Sequence, residues 1–447
     1  LSDIENISLE KLKLSGNSLH PSDIANLLKR KKLYDEDEFF EYINNLPDDI
    51  LGAVIIELPD ADRNLVFEEL EPEKLKVAIK ELETDDATDL YQEIEEIDEV
   101  KARKVFNALD HEDKVEIELL RKYTEEQAGA FMQIELFDAM LNETIKDAVR
   151  RLRKMKNTGK LDNVHQVFVK NKFNKLIGAI SLEELITFKF SKTFQEVLAE
   201  YKEFNIPITV NAIDDIEDVV KTFEKYDLSV VPVVDNDGKL LGRITSDDMY
   251  DIIQGSATEQ IYNLAGVNDD AEGESLKESM KNRAYWLFLN LLTAILASIV
   301  IGVFDETISS YVALAVLMPI VASMGGNAGT QTLTIMVRQL ALGEIDFENA
   351  KIALKKEFLI SLSNGLIFAI IIDFIAFFWF SNYLLGVVIA ISMVINLLSA
   401  GFFGAIIPLT LKKLNIDPAI GSTVLLTTVT DIVGFFSFLG LASWILL

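Results

Sequence analysis

Beyond residue 280 the polar positions thin out and five long apolar runs follow one another: Ala284–Phe304, Val312 to about Leu342, Phe358–Phe380, Leu384–Leu411 and Gly421–Leu447. A helix needs roughly 20 such residues to cross a hydrocarbon core, so each run is long enough. Five in succession predict an α-helical membrane domain of five spans over 281–447, rather than a buried soluble core. Upstream the pattern is different. Leu46, Leu58, Leu70, Leu82 and Ile94 recur every twelve residues, in units such as LPDDILGAVIIE and LPDADRNLVFEE that close on Glu57, Glu69, Glu81 or Glu93. A leucine, a Pro or Asp at a helix start and then an apolar turn predict short helices stacked into a superhelix, so residues 1–135 are expected to form an all-α helical-repeat domain. From about 136 to 260 the β-branched stretches Val164–Val169, Lys175–Ile180, Ser229–Val234 and Lys239–Thr245 alternate with helical ones, which predicts an α/β region.

Two of the apolar runs are interrupted. The second carries MPIVASMGGNAGTQ, with Pro319, Gly325, Gly326, Asn327, Gly329, Thr330 and Gln331 at mid-run. The fourth carries Asn396 and then AGFFGAIIP, with Gly401, Gly404 and Pro408. Glycines at such spacing let helices approach closely, whereas carbonyls freed at Gly-Gly and Pro are tolerated where they line a water-filled path. The sequence leaves both readings open, and the Asn327 amide beside Gly325 and Gly326 adds a group that a hydrated ion can use. The last run holds Asp431 within TTVTDIVGFF. A charge at mid-depth is costly, and an intramembrane carboxylate is by default an ion site or a proton relay. Thr427, one helical turn earlier, is placed to offer its carbonyl to the waters of such an ion. Asp373 in the third run is expected as a packing or vestibule residue, and Arg338 is the only candidate counter-ion near Asp431 along the runs.

Charge sharpens the division of the chain. Among 447 residues, 71 Asp and Glu stand against 42 Lys and Arg, a net −29. From Lys281 onward nine acidic residues balance eight basic ones, so almost all of the excess lies upstream. Such acidity excludes nucleic acid as a partner, because phosphate binding needs the opposite sign. Cysteine is absent, which removes disulfides, thiolate metal sites and thiol nucleophiles. His20, His111 and His165 share no metal or catalytic spacing, and no Gly-rich Lys-Ser/Thr loop follows a strand. An enzyme is therefore not expected, and any driving force is the ion's own electrochemical gradient. Lys281 and Arg283, then Lys351, Lys355 and Lys356, then Lys412 and Lys413 all fall on one side of the membrane if five spans start in the cytoplasm. The expected topology is a multi-pass protein of the cell (inner) membrane, with cytoplasmic N-terminal domains and an extracytoplasmic C-terminus. The chain also lacks a charged-then-apolar signal pattern at its start.

VVPVVDNDGKLLGRITSDDM, with GRITSDDM at Gly242–Met249 and its weaker copy GAISLEEL at Gly178–Leu185, resembles a tandem pair of CBS domains, 136–200 and 201–256. In that family a hydroxyl and the carboxylate three residues on often contact adenosine nucleotides, which implies ATP or another adenine nucleotide at Ser181, Glu184, Thr245 and Asp248. A helical repeat, a CBS pair, a connecting helix at 257–280 and five spans, in that order, resemble the MgtE family of magnesium channels. The likeness rests on PIVASMGGNAGTQ at Pro319–Gln331, IIPLTLKKLNIDPA at Ile406–Ala419, TTVTDIVG at Thr427–Gly434, KYDLSVVPVVD at Lys225–Asp235 and ATEQIYNLAG at Ala257–Gly266.

The resemblance implies passive Mg²⁺ uptake through a homodimer, with Asp431 as the pore carboxylate and Thr427, Asn327, Gly325 and Gly326 beside it. It also implies that cytosolic Mg²⁺ closes the pore by bridging Asp85, Asp86 and Asp89 of the repeat, Asp215, Glu217, Asp227, Asp248 and Asp251 of the CBS pair, Glu259 of the connecting helix and Asp417. Three positions depart from the family pattern: Gln260 for an acidic residue, Val424 for proline and Thr330 for asparagine. Co²⁺, Ni²⁺ or Mn²⁺ as cargo fits the same carboxylate–water chemistry. A membrane-anchored CBS nucleotide sensor is the alternative from another class.

Overall fold

The computed structural model describes residues 19–158, 161, 163–205, 207–267, 276–345 and 349–447. It divides into two units, one ending at Gln254 and one beginning at Gly255. The first unit opens with eight helices: α1 (Pro21–Tyr34), α2 (Glu36–Asn44), α3 (Asp48–Ile56), α4 (Asp60–Glu69), α5 (Pro72–Lys80), α6 (Thr84–Ile97), α7 (Glu99–Ala108) and α8 (His111–Leu120). The twelve-residue period becomes a stack in which α3 packs on α5, α4 on α6, α5 on α7 and α6 on α8. Leu46, Leu58, Leu70 and Ile94 are all buried at the joints. Pro47 and Pro59 stand at helix N-caps and Pro72 at a first turn, where the missing N–H is an orphan in any case. Gly52 lets two backbones touch: a Cβ there would come 2.3 Å from the Ala78 carbonyl oxygen. Arg63 stitches the turns together, donating to both Glu93 carboxylate oxygens at 2.8 Å and to the Ile56 and Leu58 carbonyls. His20, to which the sequence gives no task, caps α1 by accepting the Ser22 N–H.

Two three-stranded sheets follow, with the same topology. β1 (Asp138–Met140) runs parallel to β2 (Gln166–Lys170), which is antiparallel to β3 (Leu176–Ser181). β4 (Val210–Asn211), β5 (Val230–Val234) and β6 (Leu240–Thr245) repeat the order, and each central strand bulges at the same place, Val169/Lys170 and Val233/Val234. Around them lie α9 (Ile145–Asn157), α10 (Leu182–Leu185), α11 (Phe194–Glu200), α12 (Ile216–Tyr226) and the start of α13 (Ser246–Ala265). The two hairpins pair at their tips, Leu176 N–H to the Gly238 carbonyl and Leu240 N–H to that of Asn174. The segment after α8 joins the second sheet, where Gln133 and Arg243 exchange two backbone bonds of 2.8 Å.

The second unit contains α14 (Leu276–Val303), the short α15 (Asp305–Ser310), α16 (Ala313–Ala341), α17 (Ala350–Phe380), α18 (Tyr383–Lys413) and α19 (Ser422–Leu446). All except α15 are long and apolar enough to cross a membrane. α18 is central and packs on α16, α17 and α19. α14 packs on α19 and otherwise exposes Leu287, Leu291 and Ile299. The expected connecting helix at 257–280 includes residues 268–275, which lie outside the described residues; α13 ends at Ala265. At that end Gly266, and at the head of α19 Gly421, both adopt left-handed φ, and a Cβ on either would stand 3.4–3.5 Å from the Trp286 ring.

Pro319 and Pro408 leave α16 and α18 unbroken. Several of the glycine interruptions of the sequence appear as close packing. A Cβ on Gly404 would meet the Gly329 carbonyl oxygen at 2.8 Å, and one on Gly401 would overlap Ser361. Val424 lies in the first turn of α19, where proline breaks no intrahelical bond.

Candidate functional site

Two groups of acidic and amide side chains emerge, one in each unit. In the second unit the outward stripe of α16 is polar through the middle of the span: Ser323, Asn327, Thr330, Gln331 and Thr334 are exposed, with the Asn327 amide donating to the Ser323 hydroxyl at 3.3 Å. Successive residues are rotated by about 100° on a helix, so the two adjacent glycines part company. Gly325 is buried against Asn396 of α18, while nothing lies within 4 Å of where a Gly326 Cβ would stand.

On α19, Asp431 is partly buried, and among the described residues no Lys or Arg pairs with it, Arg338 included. The Thr427 hydroxyl bonds back to the Thr423 carbonyl, and the Thr427 carbonyl accepts the Thr430 hydroxyl at 3.1 Å. That carbonyl is therefore less free for an ion's waters than the sequence suggests. Asp417, before α19, accepts the Asn263 amide at 3.1 Å, and Asn263 also reaches Glu259 on α13 at 3.5 Å. The Thr423 hydroxyl donates to the Leu264 carbonyl, so the end of α13 docks on the head of α19.

Sequence reasoning missed Glu357. It is buried within α17, 6% exposed, and accepts the Thr332 hydroxyl of α16 at 3.0 Å. Lys355 and Lys356 precede it, so the carboxylate reads as the polar edge of the run, whereas the helix starts at Ala350. Asp373 packs against the first turn of α18, since a Cβ on Gly386 would meet its Oδ1 at 2.4 Å. That is a packing position at the positive end of a helix dipole.

In the first unit, Asp85, Asp86 and Asp89 on α6 face Asp248 at the start of α13. Burial, then Asp248, push Asp85 well up and Asp86 up to about 7. Burial and then Glu93 and Glu125 push Asp89 up to about 7, with Asp248 adding to it. Asp248 itself rises to about 6 by burial, opposed by its hydrogen bond from Thr245. Asp251 is raised by burial and by Glu57. The structure adds Glu83, pushed up to about 7 by burial although Arg243 pulls it down. Asp85 Oδ1 is buried without a hydrogen-bond partner.

These are carboxylates held close against mutual repulsion, the condition a divalent cation relieves. Among the described residues no three of them converge tightly enough to hold a metal ion directly. Asp215, Glu217 and Asp227 belong to α12 and its two ends. Asp215 caps the start of α12 and accepts the Glu217 N–H, while Asp227, with φ 50°, closes its far end. The two hydroxyl–carboxylate pairs also differ. The Thr245 hydroxyl is spent on Asp248 at 2.8 Å, while the Ser181 hydroxyl accepts the Glu184 N–H and keeps its own proton, beside an exposed Glu184 carboxylate.

Known proteins resemble the chain throughout. Residues 318–441 match the divalent cation transporter profile MgtE, 19–126 the MgtE intracellular N domain and 204–255 a CBS domain. The magnesium transporter MgtE of Bacillus subtilis is 28% identical over 426 residues, covering 88% of this chain and 93% of that one. Its counterpart from Enterococcus faecalis is 31% identical over 332 residues, covering 74% and 72%. Among solved structures, the soluble part of a magnesium transporter is 27% identical with a TM-score of 0.50, covering 57% of this chain and 96% of that one. The cytosolic domain of the Mg²⁺ channel MgtE in complex with ATP, 24% identical with a TM-score of 0.50, covers 55% and 95% and shares the fold.

Proposed function

Because the chain belongs to the MgtE family of divalent cation transporters, we propose that it carries Mg²⁺ passively across the membrane, through a path lined by α16 and α19. One observation carries this reading: a polar stripe, Ser323–Asn327–Thr330–Gln331–Thr334, lies exposed along the middle of an otherwise apolar span. Such a face is costly against lipid and is tolerated where a second copy and a column of water cover it. A homodimer then presents two Asp431 carboxylates to one ion. Mg²⁺ gives up its waters reluctantly, so a wide ring of carboxylate and amide suits it better than a tight all-protein cage. The Asn327 amide and the Gly326 backbone fit that ring by exposure, and Gly325 supports it from inside.

The acidic cluster of the first unit supports regulation by the cargo itself. Mg²⁺ among Asp85, Asp86, Asp89, Asp248 and Asp251 would relieve their repulsion and favour the compact state by mass action. Asp417 and Glu259, joined through Asn263, would form a second place where ions act on the head of α19. Of the two CBS copies, the first keeps its hydroxyl and carboxylate free for the ribose of an adenine nucleotide. The basic residues at 281–283, 351–356 and 412–413 support an orientation with the N-terminal domains in the cytoplasm and the C-terminus outside. Mg²⁺ uptake into proteoliposomes by the wild type and Asp431→Ala tests the pore: loss of uptake is expected, and equal uptake would overturn it. Competition by Co²⁺, Ni²⁺ and Mn²⁺ in the same assay ranks the cargo.

A further inference from the structure

The middle of the membrane unit holds a polar side chain that the transport reading leaves idle. Asn396 of α18 is fully buried. Its Nδ2 donates to the Val321 carbonyl of α16 at 2.7 Å, and its Oδ1 has no hydrogen-bond partner. Two helices present a glycine to it. A Cβ on Gly325 of α16 would stand 2.5–2.8 Å from the amide, and one on Gly434 of α19 would stand 3.0–3.1 Å from it. No other residue type fits both notches without pushing a helix aside. Gly325 precedes Asn327 by two residues, and Gly434 follows Asp431 by three. The orphan Oδ1 argues against a purely stabilising role, because a buried acceptor without a donor is a cost that an apolar side chain of the same shape avoids.

We propose that Asn396 is a positioning residue. Wedged between the two glycine notches and bonded to Val321, it sets the spacing and rotation of α16 against α19, and so the geometry of the Asn327–Asp431 ion path. This rests on the pore assignment above. The amide reaches the ion only through the two helices it spaces, so its removal changes how well the path discriminates among hydrated ions as well as how fast it conducts.

The test uses the full chain in proteoliposomes, with Mg²⁺ and Co²⁺ uptake measured at matched amounts of folded protein and melting followed in detergent. Asn396→Leu keeps the shape, drops the hydrogen bond and removes the orphan acceptor. It is expected to melt no lower than the wild type, while the Co²⁺/Mg²⁺ uptake ratio changes at least threefold and the KM for Mg²⁺ moves with it. Gly325→Ala is expected to lower Mg²⁺ uptake about tenfold, a factor equivalent to one pKa unit of free energy. Gly325→Ala combined with Asn396→Ala, which makes room for the new methyl, recovers folding but not the wild-type ratio. An unchanged ratio and KM in every Asn396 variant, with maximal uptake simply tracking melting temperature, would overturn the proposal while Asp431→Ala still abolishes uptake. Wild-type uptake by Asp431→Ala would instead overturn the pore assignment, and this inference with it.

Discussion

Asp86 on α6 is pushed from an ordinary 3.8 up to about 7, first by burial and then by Asp248, Asp89, Glu83 and Asp247. At 1.36 kcal/mol per unit, a shift of about three units is about 4 kcal/mol of preference for the protonated form in the folded state. Asp86 is raised in part by the charges of Asp248 and Asp89, so about 4 kcal/mol is a ceiling for this one position and does not add to the shifts of its neighbours. The folded pKa lies above the unfolded one, so the folded state holds its proton more tightly. Stability is therefore greatest below the unfolded value, falls as pH rises through the folded value and levels off above about 7.

Asp86→Asn removes the charge whose burial is resisted. Hydrogen exchange of the 84–97 peptide in the full-length protein in detergent, corrected for intrinsic rate, reads the effect. At pH 8 without divalent cations the variant is expected to be better protected than the wild type, by about 1–4 kcal/mol of opening free energy. At pH 5 the difference should shrink to less than half of its pH 8 value, and it should vanish only below the unfolded value of 3.8. Millimolar Mg²⁺ should protect the wild type more than the variant, because an ion has less repulsion left to relieve. Identical wild-type protection at pH 5 and pH 8, or faster exchange in Asp86→Asn at pH 8, would refute the reasoning.

Three further expectations follow from packing. Gly404→Ala places a Cβ 2.8 Å from the Gly329 carbonyl oxygen and 3.0 Å from Thr332 Cβ, forcing α16 and α18 apart. A loss of about 1–3 kcal/mol should appear as a lower Tm in detergent, with Gly326→Ala as the matched control. Arg63→Ala strands the Ile56 and Leu58 carbonyls and Glu93, and should cost about 1–3 kcal/mol, read as faster exchange across α3–α6. Glu357→Gln keeps an acceptor for the Thr332 hydroxyl and should melt within about 1 kcal/mol of the wild type, whereas Glu357→Ala should lose about 1–3 kcal/mol.

Periodicity carried most of the architecture. Apolar runs of span length became five long helices, the third extended at its start from Phe358 to Ala350, and the twelve-residue leucine period became a stack of alternate helices. These features depend on local spacing, which a single chain displays openly. What stayed hidden depends on rotation and on distant partners. Gly325 and Gly326 are neighbours in sequence, yet one faces Asn396 and the other faces open space. Asn396 meets residues more than thirty positions away on either side, and no local pattern announces that. Glu357 hid behind two lysines. Asp215 and Asp227 stand at opposite ends of α12, a separation that the spacing of their charges along the sequence does not display.

The indole of Trp286 has an optical consequence. It lies against Gly266 beyond α13 and Gly421 at the head of α19, beside the Asn263–Asp417 contact. The other two tryptophans of the chain, Trp379 and Trp444, are exposed on the outside of the helical unit. Intrinsic fluorescence is thus divided between one half-buried emitter and two exposed ones. Any shift of the α13 tail against α19 alters the surroundings of the first and leaves the others as an internal reference. The protein carries its own spectroscopic gauge at the place where a regulatory movement would have to arrive, and excitation at the tryptophan band reads it without a label.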